Sequence, residues 1–114
     1  MDIKKELTKG SSAMLVLSVL ENEDLYGYMI IKRISERSEN AFSFKEGTLY
    51  PILHSFEANG YVKSYTVPVN GRERKYYKIT DKGIRTLAAA KKEWEVYTSA
   101  VRKVIDVTHS KVLA

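Results

Sequence analysis

Residues 43–79 read SFKEGTLYPILHSFEANGYVKSYTVPVNGRERKYYKI, and this stretch decides the fold class. Its first half favours a helix, because apolar residues recur at spacings of three and four, namely Leu49, Ile52, Leu53 and Phe56. Ser43-Phe44-Lys45-Glu46 matches a capping box at the start of this helix, and Asn59-Gly60 is a stop signal at its end. Pro51 lies inside the helix, but the residue four positions earlier is Gly47, so we expect a tolerated irregularity.

The second half of the stretch predicts a β-hairpin. Strand-forming residues lie on both sides of Pro68 to Gly71, and Asn70-Gly71 is a strong signal for a tight turn. Two earlier helices are predicted over residues 5–20 and 25–37, with Asp24 as a candidate cap for the second. The first offers five apolar residues for burial: Leu7, Met14, Leu15, Leu17 and Leu20. Three helices followed by a hairpin is the order of a winged helix-turn-helix, a mainly α fold.

A last helix begins at Thr80 or Asp81 and is predicted to run for about 28 residues, which is roughly 40 Å. Its apolar or small residues follow alternating spacings of three and four, a heptad seam: Leu87, Ala90, Trp94, Tyr97, Val101, Val104 and Thr108. A helix of this length extends beyond so small a core, and a second copy of the chain is the simplest partner for its far end. We therefore expect a DNA-binding unit over residues 1–80 and a C-terminal dimerisation helix over residues 81–114.

Composition narrows the function classes. The 114 residues contain 44% hydrophobic and 29% charged residues, as in a folded protein, and they contain no cysteine. No stretch is long enough to span a bilayer or resembles a signal peptide, so we expect a cytoplasmic protein without membrane association. The two histidines have no metal-ligand spacing, and no phosphate loop or nucleophile elbow appears. We expect no catalysis, no metal and no cofactor.

The net charge of +5 is concentrated in residues 61–85. This segment has two acidic residues and seven basic ones: Lys63, Arg72, Arg74, Lys75, Lys78, Lys82 and Arg85. The asymmetry fits either a polyanion partner or a solubilising surface.

The candidate recognition residues lie on two elements. The face of the 43–59 helix opposite its apolar residues is nearly uncharged, which suits a major groove but also an ordinary solvated surface. Its outward or leading residues are Lys45, Thr48, Tyr50, Pro51 and His54. On the hairpin, Arg72 and Arg74 point to one side and Lys75 to the other, because strand side chains alternate. The tyrosines of the hairpin fit cross-strand packing better than base stacking.

Trp94, the only tryptophan, lies on the predicted seam. It is either a core aromatic of a dimer interface or one wall of a cavity for a flat, apolar ligand, with small residues one turn earlier leaving room.

Three stretches resemble the PadR family of transcription regulators. They are Leu25-Tyr26-Gly27-Tyr28, then Glu46-Gly47-Thr48-Leu49-Tyr50-Pro51-Ile52-Leu53, and Gly71-Arg72-Glu73-Arg74-Lys75-Tyr76-Tyr77. The resemblance covers residues 12–90 and implies a dimeric winged helix-turn-helix repressor that binds a palindromic promoter site on double-stranded DNA. It implies DNA contacts by nine residues: Tyr26, Lys45, Thr48, Tyr50, Pro51, His54, Arg72, Arg74 and Lys75.

The single long C-terminal helix is similar to that of the compact, multidrug-responsive subgroup of this family. There, a hydrophobic pore at the dimer interface contains a tryptophan. The resemblance implies that a small hydrophobic or aromatic effector would bind at five residues: Ala13, Met14, Ala90, Trp94 and Thr98. A winged-helix module that binds another protein is the alternative, although a protein-binding wing has no need for three adjacent cations.

Overall fold

The structure is a computed structural model that describes residues 1–106. It contains four helices, α1 (Ile3–Leu20), α2 (Gly27–Arg37), α3 (Glu46–Ala58) and α4 (Asp81–Ile105). Three strands complete it, β1 (Leu25–Tyr26), β2 (Val62–Val69) and β3 (Arg72–Ile79). The predicted order of three helices, a hairpin and a long last helix is confirmed.

The three strands form one antiparallel sheet in the order β1-β3-β2. Asn70 and Gly71 both have positive φ, 51° and 78°, as a two-residue hairpin turn requires. The predicted hairpin is confirmed, and its strands extend to this turn. The prediction that the second helix begins at residue 25 is wrong, because residues 25 and 26 form β1 and pair with Tyr77 and Tyr76. Asp24 does not cap α2, since it accepts a hydrogen bond from the Tyr65 hydroxyl at 2.7 Å.

The core is formed where α1, α2 and α3 pack against the inner face of the sheet. Leu49, Leu53 and Phe56 of α3 are buried as predicted, and Ile52 is half-buried. The predicted capping box is wrong: α3 begins at Glu46, with Lys45 as a cap without a side-chain hydrogen bond. The preceding Phe44 is buried in the core, and anchoring this ring keeps the chain extended past Ser43.

Burial along α1 differs from the prediction at its first turns. Leu17 and Leu20 are buried, while Met14 and Leu15 are half-buried. Leu7 is 63% exposed, because the first turns of α1 face α4 across an open groove instead of packing into the core.

The start of α4 is tied to the beginning of β2 and the end of α3. The Thr80 hydroxyl accepts from the Gly83 amide at 3.0 Å, which confirms Thr80 as the cap, and donates to the Gly60 carbonyl at 2.6 Å. Lys82 donates to the Asn59 carbonyl at 2.8 Å. Gly83 is buried so closely that a Cβ there would lie 2.7 Å from Ile79 Cγ1 and closer still to the Tyr61 carbonyl oxygen.

Beyond this joint, α4 leaves the body of the domain. Gly83 and Leu87 are its buried residues, and most side chains from Ala88 to Asp106 are exposed. The described chain is accordingly elongated, at 70 × 27 × 23 Å. Thr108, the last residue of the predicted seam, lies outside the described residues. The whole is a winged helix-turn-helix with a long C-terminal helix.

The joint at Gly83 generates a stability prediction. We expect Gly83→Ala to lower the free energy of unfolding by about 3 kcal/mol, because the added methyl overlaps fixed backbone. Gly47→Ala is the matched control, since nothing lies within 4 Å of a Cβ there, and alanine should add about 0.5–1 kcal/mol. Denaturant unfolding at one protein concentration measures both, and a Gly83→Ala variant as stable as the wild type would contradict the close packing.

Candidate nucleic-acid interface

The outward face of α3 is smooth and nearly uncharged. Its residues are all exposed: Gly47, Thr48, Tyr50, Pro51, His54 and Ser55. Lys45 lies at the start of the helix, with an exposed side chain. The small residues Gly47 and Ser55 leave the helix backbone accessible, while the hydroxyls and the imidazole supply hydrogen-bonding groups. Such a face can enter a groove without steric or charge conflict.

Tyr50 connects α3 to the start of α2. A Cβ at Gly27 would lie 2.6 Å from the Tyr50 hydroxyl, so the ring rests directly against the first residue of α2. Tyr26 precedes it as the cap of α2, and its side chain makes no capping hydrogen bond. Tyr26 and Tyr50, both predicted to contact DNA, therefore lie close together at the start of α2.

The three wing cations divide between the two faces of the sheet, as alternation along the strand predicts. Arg72 and Arg74 lie on the outer face, away from the core, and Lys75 lies on the inner face with the buried Tyr77. Arg72 is exposed near the hairpin tip, whereas Arg74 is half-buried with its guanidinium carbon 4.1 Å from the centre of the Tyr26 ring.

Lys75 belongs to a network that joins the wing to α3. Its ammonium donates to Glu57 Oε1 at 3.3 Å, and the Ser64 hydroxyl donates to Glu57 Oε2 at 2.7 Å. The hydrogen bond from Ser64, followed by that from Lys75, holds the pKa of Glu57 below its ordinary value despite some burial. Burial alone would lower the pKa of Lys75, but the hydrogen bond and charge of Glu57 raise it. Lys75 therefore remains charged and directed toward α3.

The outer face of the sheet has a row of aromatic rings. Tyr65, Tyr76 and Tyr26 are register partners across β2, β3 and β1. The rings of Tyr65 and Tyr76 are stacked at 5.7 Å, and Tyr76 meets Tyr26 edge-on at 5.5 Å. At the far end, the hydrogen bond to Asp24 raises the pKa of Tyr65. The predicted cross-strand packing is confirmed for Tyr65 and Tyr76, whereas Tyr61 precedes β2 and packs against Phe56, and Tyr77 is buried in the core.

A second candidate site is a groove of about 450 Å³ between α1 and α4. Four of the five predicted effector residues line it, Ala13 and Met14 from α1 and Ala90 and Trp94 from α4. Thr98 does not line the groove, and its hydroxyl donates to the Trp94 carbonyl at 2.9 Å. The remaining lining residues were not predicted from the sequence: Glu6, Leu7, Gly10, Glu93 and Tyr97.

Other residues of these sites were also missed from the sequence. Glu57 was not predicted, although the side-chain alternation that placed Lys75 on the Tyr77 face could have directed attention to the nearby end of α3. The sequence predicts Asp24 as a helix cap, and no sequence signal indicates its bond to Tyr65, 41 positions away. Within residues 1–106, no helix could cross a membrane and no cluster of potential metal ligands occurs.

The smooth third helix, the basic hairpin and the long last helix define a winged-helix transcriptional regulator. Residues 16–89 match the model of the transcriptional regulator PadR-like family, and the chain belongs to this family. Among solved structures, it is similar to a transcriptional regulator from Clostridium thermocellum, at 34% identity over 88% of this chain and 98% of the other, with a TM-score of 0.82.

Two further similarities agree with this assignment. A PadR family transcriptional regulator from Eggerthella lenta is 32% identical, covering 91% of this chain and 89% of the other, with a TM-score of 0.82. The transcriptional regulator Rv3488 of Mycobacterium tuberculosis is 28% identical over 80% of this chain and 82% of that protein. The chain is thus a transcriptional regulator, and its relatives are not enzymes.

Proposed function

We propose that this protein is a repressor that binds a palindromic promoter site in double-stranded DNA as a homodimer. The observation that carries the proposal is the exposed, nearly uncharged face of α3 beside a basic wing. In this proposal Thr48, Tyr50, Pro51 and His54 lie in the major groove, with Lys45 at its edge. Arg72, Arg74 and Tyr26 contact the sugar-phosphate backbone, and Lys75 supports the wing through Glu57 while adding positive charge.

The two parts of the chain have separate roles in this proposal. Residues 1–80 bind one half-site, and residues 81–114 join two subunits. Support comes from the exposed apolar side chains of α4, which include Trp94 at 41%, Tyr97 at 61% and Val104 at 74%. A second α4 would cover them, as well as the exposed Leu7 of α1. Reading successive major grooves on one face of DNA requires recognition helices roughly 34–36 Å apart.

A small hydrophobic or aromatic effector is proposed to relieve repression from the groove lined by Ala13, Met14, Ala90 and Trp94. The volume of this groove falls within the roughly 300–1,000 Å³ range of sites for small ligands. Because the groove lies between α1 and α4, a ligand there would alter the angle of α4 and hence the separation of the two α3 helices. Thr98, one turn further along α4, does not line this groove, and its hydroxyl donates to the Trp94 carbonyl.

The DNA proposal predicts different consequences for the wing and for α3. We expect Arg74→Ala to weaken binding to all sequences and to reduce the salt slope by about one, because a phosphate contact is lost. His54→Ala should instead reduce discrimination between the operator and unrelated DNA. Fluorescence anisotropy with a labelled fragment of the protein's own promoter, titrated at several salt concentrations, measures both effects. Equal effects of the two variants would contradict this division between wing and α3, whereas weak binding without salt dependence in the wild type would favour a protein-binding module.

The dimer proposal predicts that a charge on the seam separates the subunits. Val104→Glu should weaken dimerisation at least about tenfold, because the carboxylate would be buried against the second α4. Val96→Glu is the matched control, since Val96 is similarly exposed at 68% but lies off the seam. Sedimentation velocity over a range of concentrations distinguishes them, and a dimer unaffected by Val104→Glu would require another interface.

The effector proposal predicts reciprocal coupling between ligand and DNA. The neutral, apolar dye N-phenyl-1-naphthylamine should quench Trp94 fluorescence in the free protein, and saturating DNA should weaken its binding by the factor by which the dye weakens DNA binding. Trp94→Phe should remove the quenching while the dye's own fluorescence still reports binding. Met14→Glu should reduce dye affinity, because it places a charge in the groove. Identical dye affinity with and without DNA would contradict the coupling.

A further inference from the structure

The wing cations differ in how firmly each is held in the free protein. Arg72, Lys75 and Lys78 are exposed, whereas Arg74 is half-buried. Its guanidinium lies over the Tyr26 ring at 4.1 Å, within the range at which a cation is attracted to a ring face. A guanidinium packed flat on a ring still has its N–H groups at the edge available for hydrogen bonds.

The Tyr26 ring is itself held in place by neighbouring rings on the same face of the sheet. Tyr76, the neighbour of Arg74 on the same face of β3, meets Tyr26 edge-on, and Tyr65 stacks on Tyr76 with only 11° between the ring planes. The Tyr65 hydroxyl then donates to Asp24, which directly precedes β1. The row thus crosses all three strands, is anchored at Tyr65 by Asp24, and fixes the ring on which Arg74 rests.

We propose that Tyr76 and Tyr65 are positioning residues for DNA binding, because their row fixes Tyr26 and so orders the Arg74 guanidinium before DNA arrives. This inference rests on the proposed function. A long arginine side chain on a free wing loses rotamer freedom when it binds a phosphate, and an arginine ordered in advance loses less. The tyrosine row therefore contributes to affinity without requiring Tyr76 or Tyr65 to contact DNA.

A double-mutant cycle between Tyr76 and Arg74 tests the proposal. Tyr76→Leu should weaken operator binding about 3- to 10-fold, which is the range expected when one side chain loses its preorganisation. The same change in an Arg74→Ala background should have almost no effect, because no guanidinium remains to be positioned. Tyr76→Phe keeps the ring and should bind like the wild type. Arg74→Lys keeps the charge but not the planar group, so it should lose affinity with an unchanged salt slope.

The control variant is Tyr61→Leu. Tyr61 packs against Phe56 at 5.9 Å and lies outside the row, so its loss should reduce stability without coupling to Arg74. The signal of the Arg74 Nε–H group in nuclear magnetic resonance spectra of the free protein gives a readout independent of DNA. We expect a ring-current shift and slow guanidinium motion in the wild type, with both lost in Tyr76→Leu.

The outcomes separate this inference from the proposed function. Additive effects in the cycle, or an Arg74 guanidinium that is equally mobile in the wild type and in Tyr76→Leu, would overturn the role of the row while DNA binding stands. Failure of the wild type to bind DNA would overturn the proposed function. The ordering of Arg74 would then have no role in DNA binding.

Discussion

The close approach of Gly83 to the Tyr61 carbonyl fixes the geometry on which the other features depend. At this point the end of α3, the start of β2 and the start of α4 meet, and the Thr80 hydroxyl connects them with hydrogen bonds to Gly60 and Gly83. Because α3 and α4 leave the same joint, the direction of the long helix is set relative to α3. A side chain in place of the Gly83 hydrogen would force the start of α4 away from the Tyr61 carbonyl.

The surfaces with proposed roles depend on this joint in different ways. The wing is connected to α3 by Glu57, Ser64 and Lys75, and to β1 by the tyrosine row. The groove beside Trp94 lies further along α4, where that helix faces α1. In the proposed mechanism, a change in the angle of α4 would reach α3 through this hydrogen-bonded joint, whereas the wing has contacts of its own.

Local sequence signals predicted most of the fold. Asn70-Gly71 located the hairpin, Thr80 the start of α4, and the apolar spacing of α3 its buried face. The signals failed where tertiary contacts override local preference. The capping box at Ser43 competes with burial of Phe44, and Leu25 and Tyr26 pair with β3 although the residues around them favour a helix. Two residues are too short a strand for any periodicity to show.

The sequence predicted many of the residues at the candidate sites, but not which of them contact one another. The exposed face of α3 follows from its buried face, and four groove residues were predicted by resemblance to known regulators. The pairing of Lys75 with Glu57 and of Arg74 with Tyr26 depends on strand register and on how α3 meets the sheet, neither of which is encoded within a single stretch.

The exposed distal part of α4 has a consequence for how the protein folds. From Ala88 onward, most side chains of the described helix are exposed, although Ala90 and Trp94 face α1 across the groove and Lys91 pairs with Glu21 at 3.1 Å. An isolated helix of such a length is marginal in water. Its order in solution therefore depends on intrinsic propensity, which the run Ala88-Ala89-Ala90-Lys91-Lys92 supplies, and on whatever covers its apolar side. If, as proposed, a second copy of the chain covers that side, helix formation in this segment and dimerisation would be one cooperative event, and the cellular abundance of the chain would govern how much of it is fully folded.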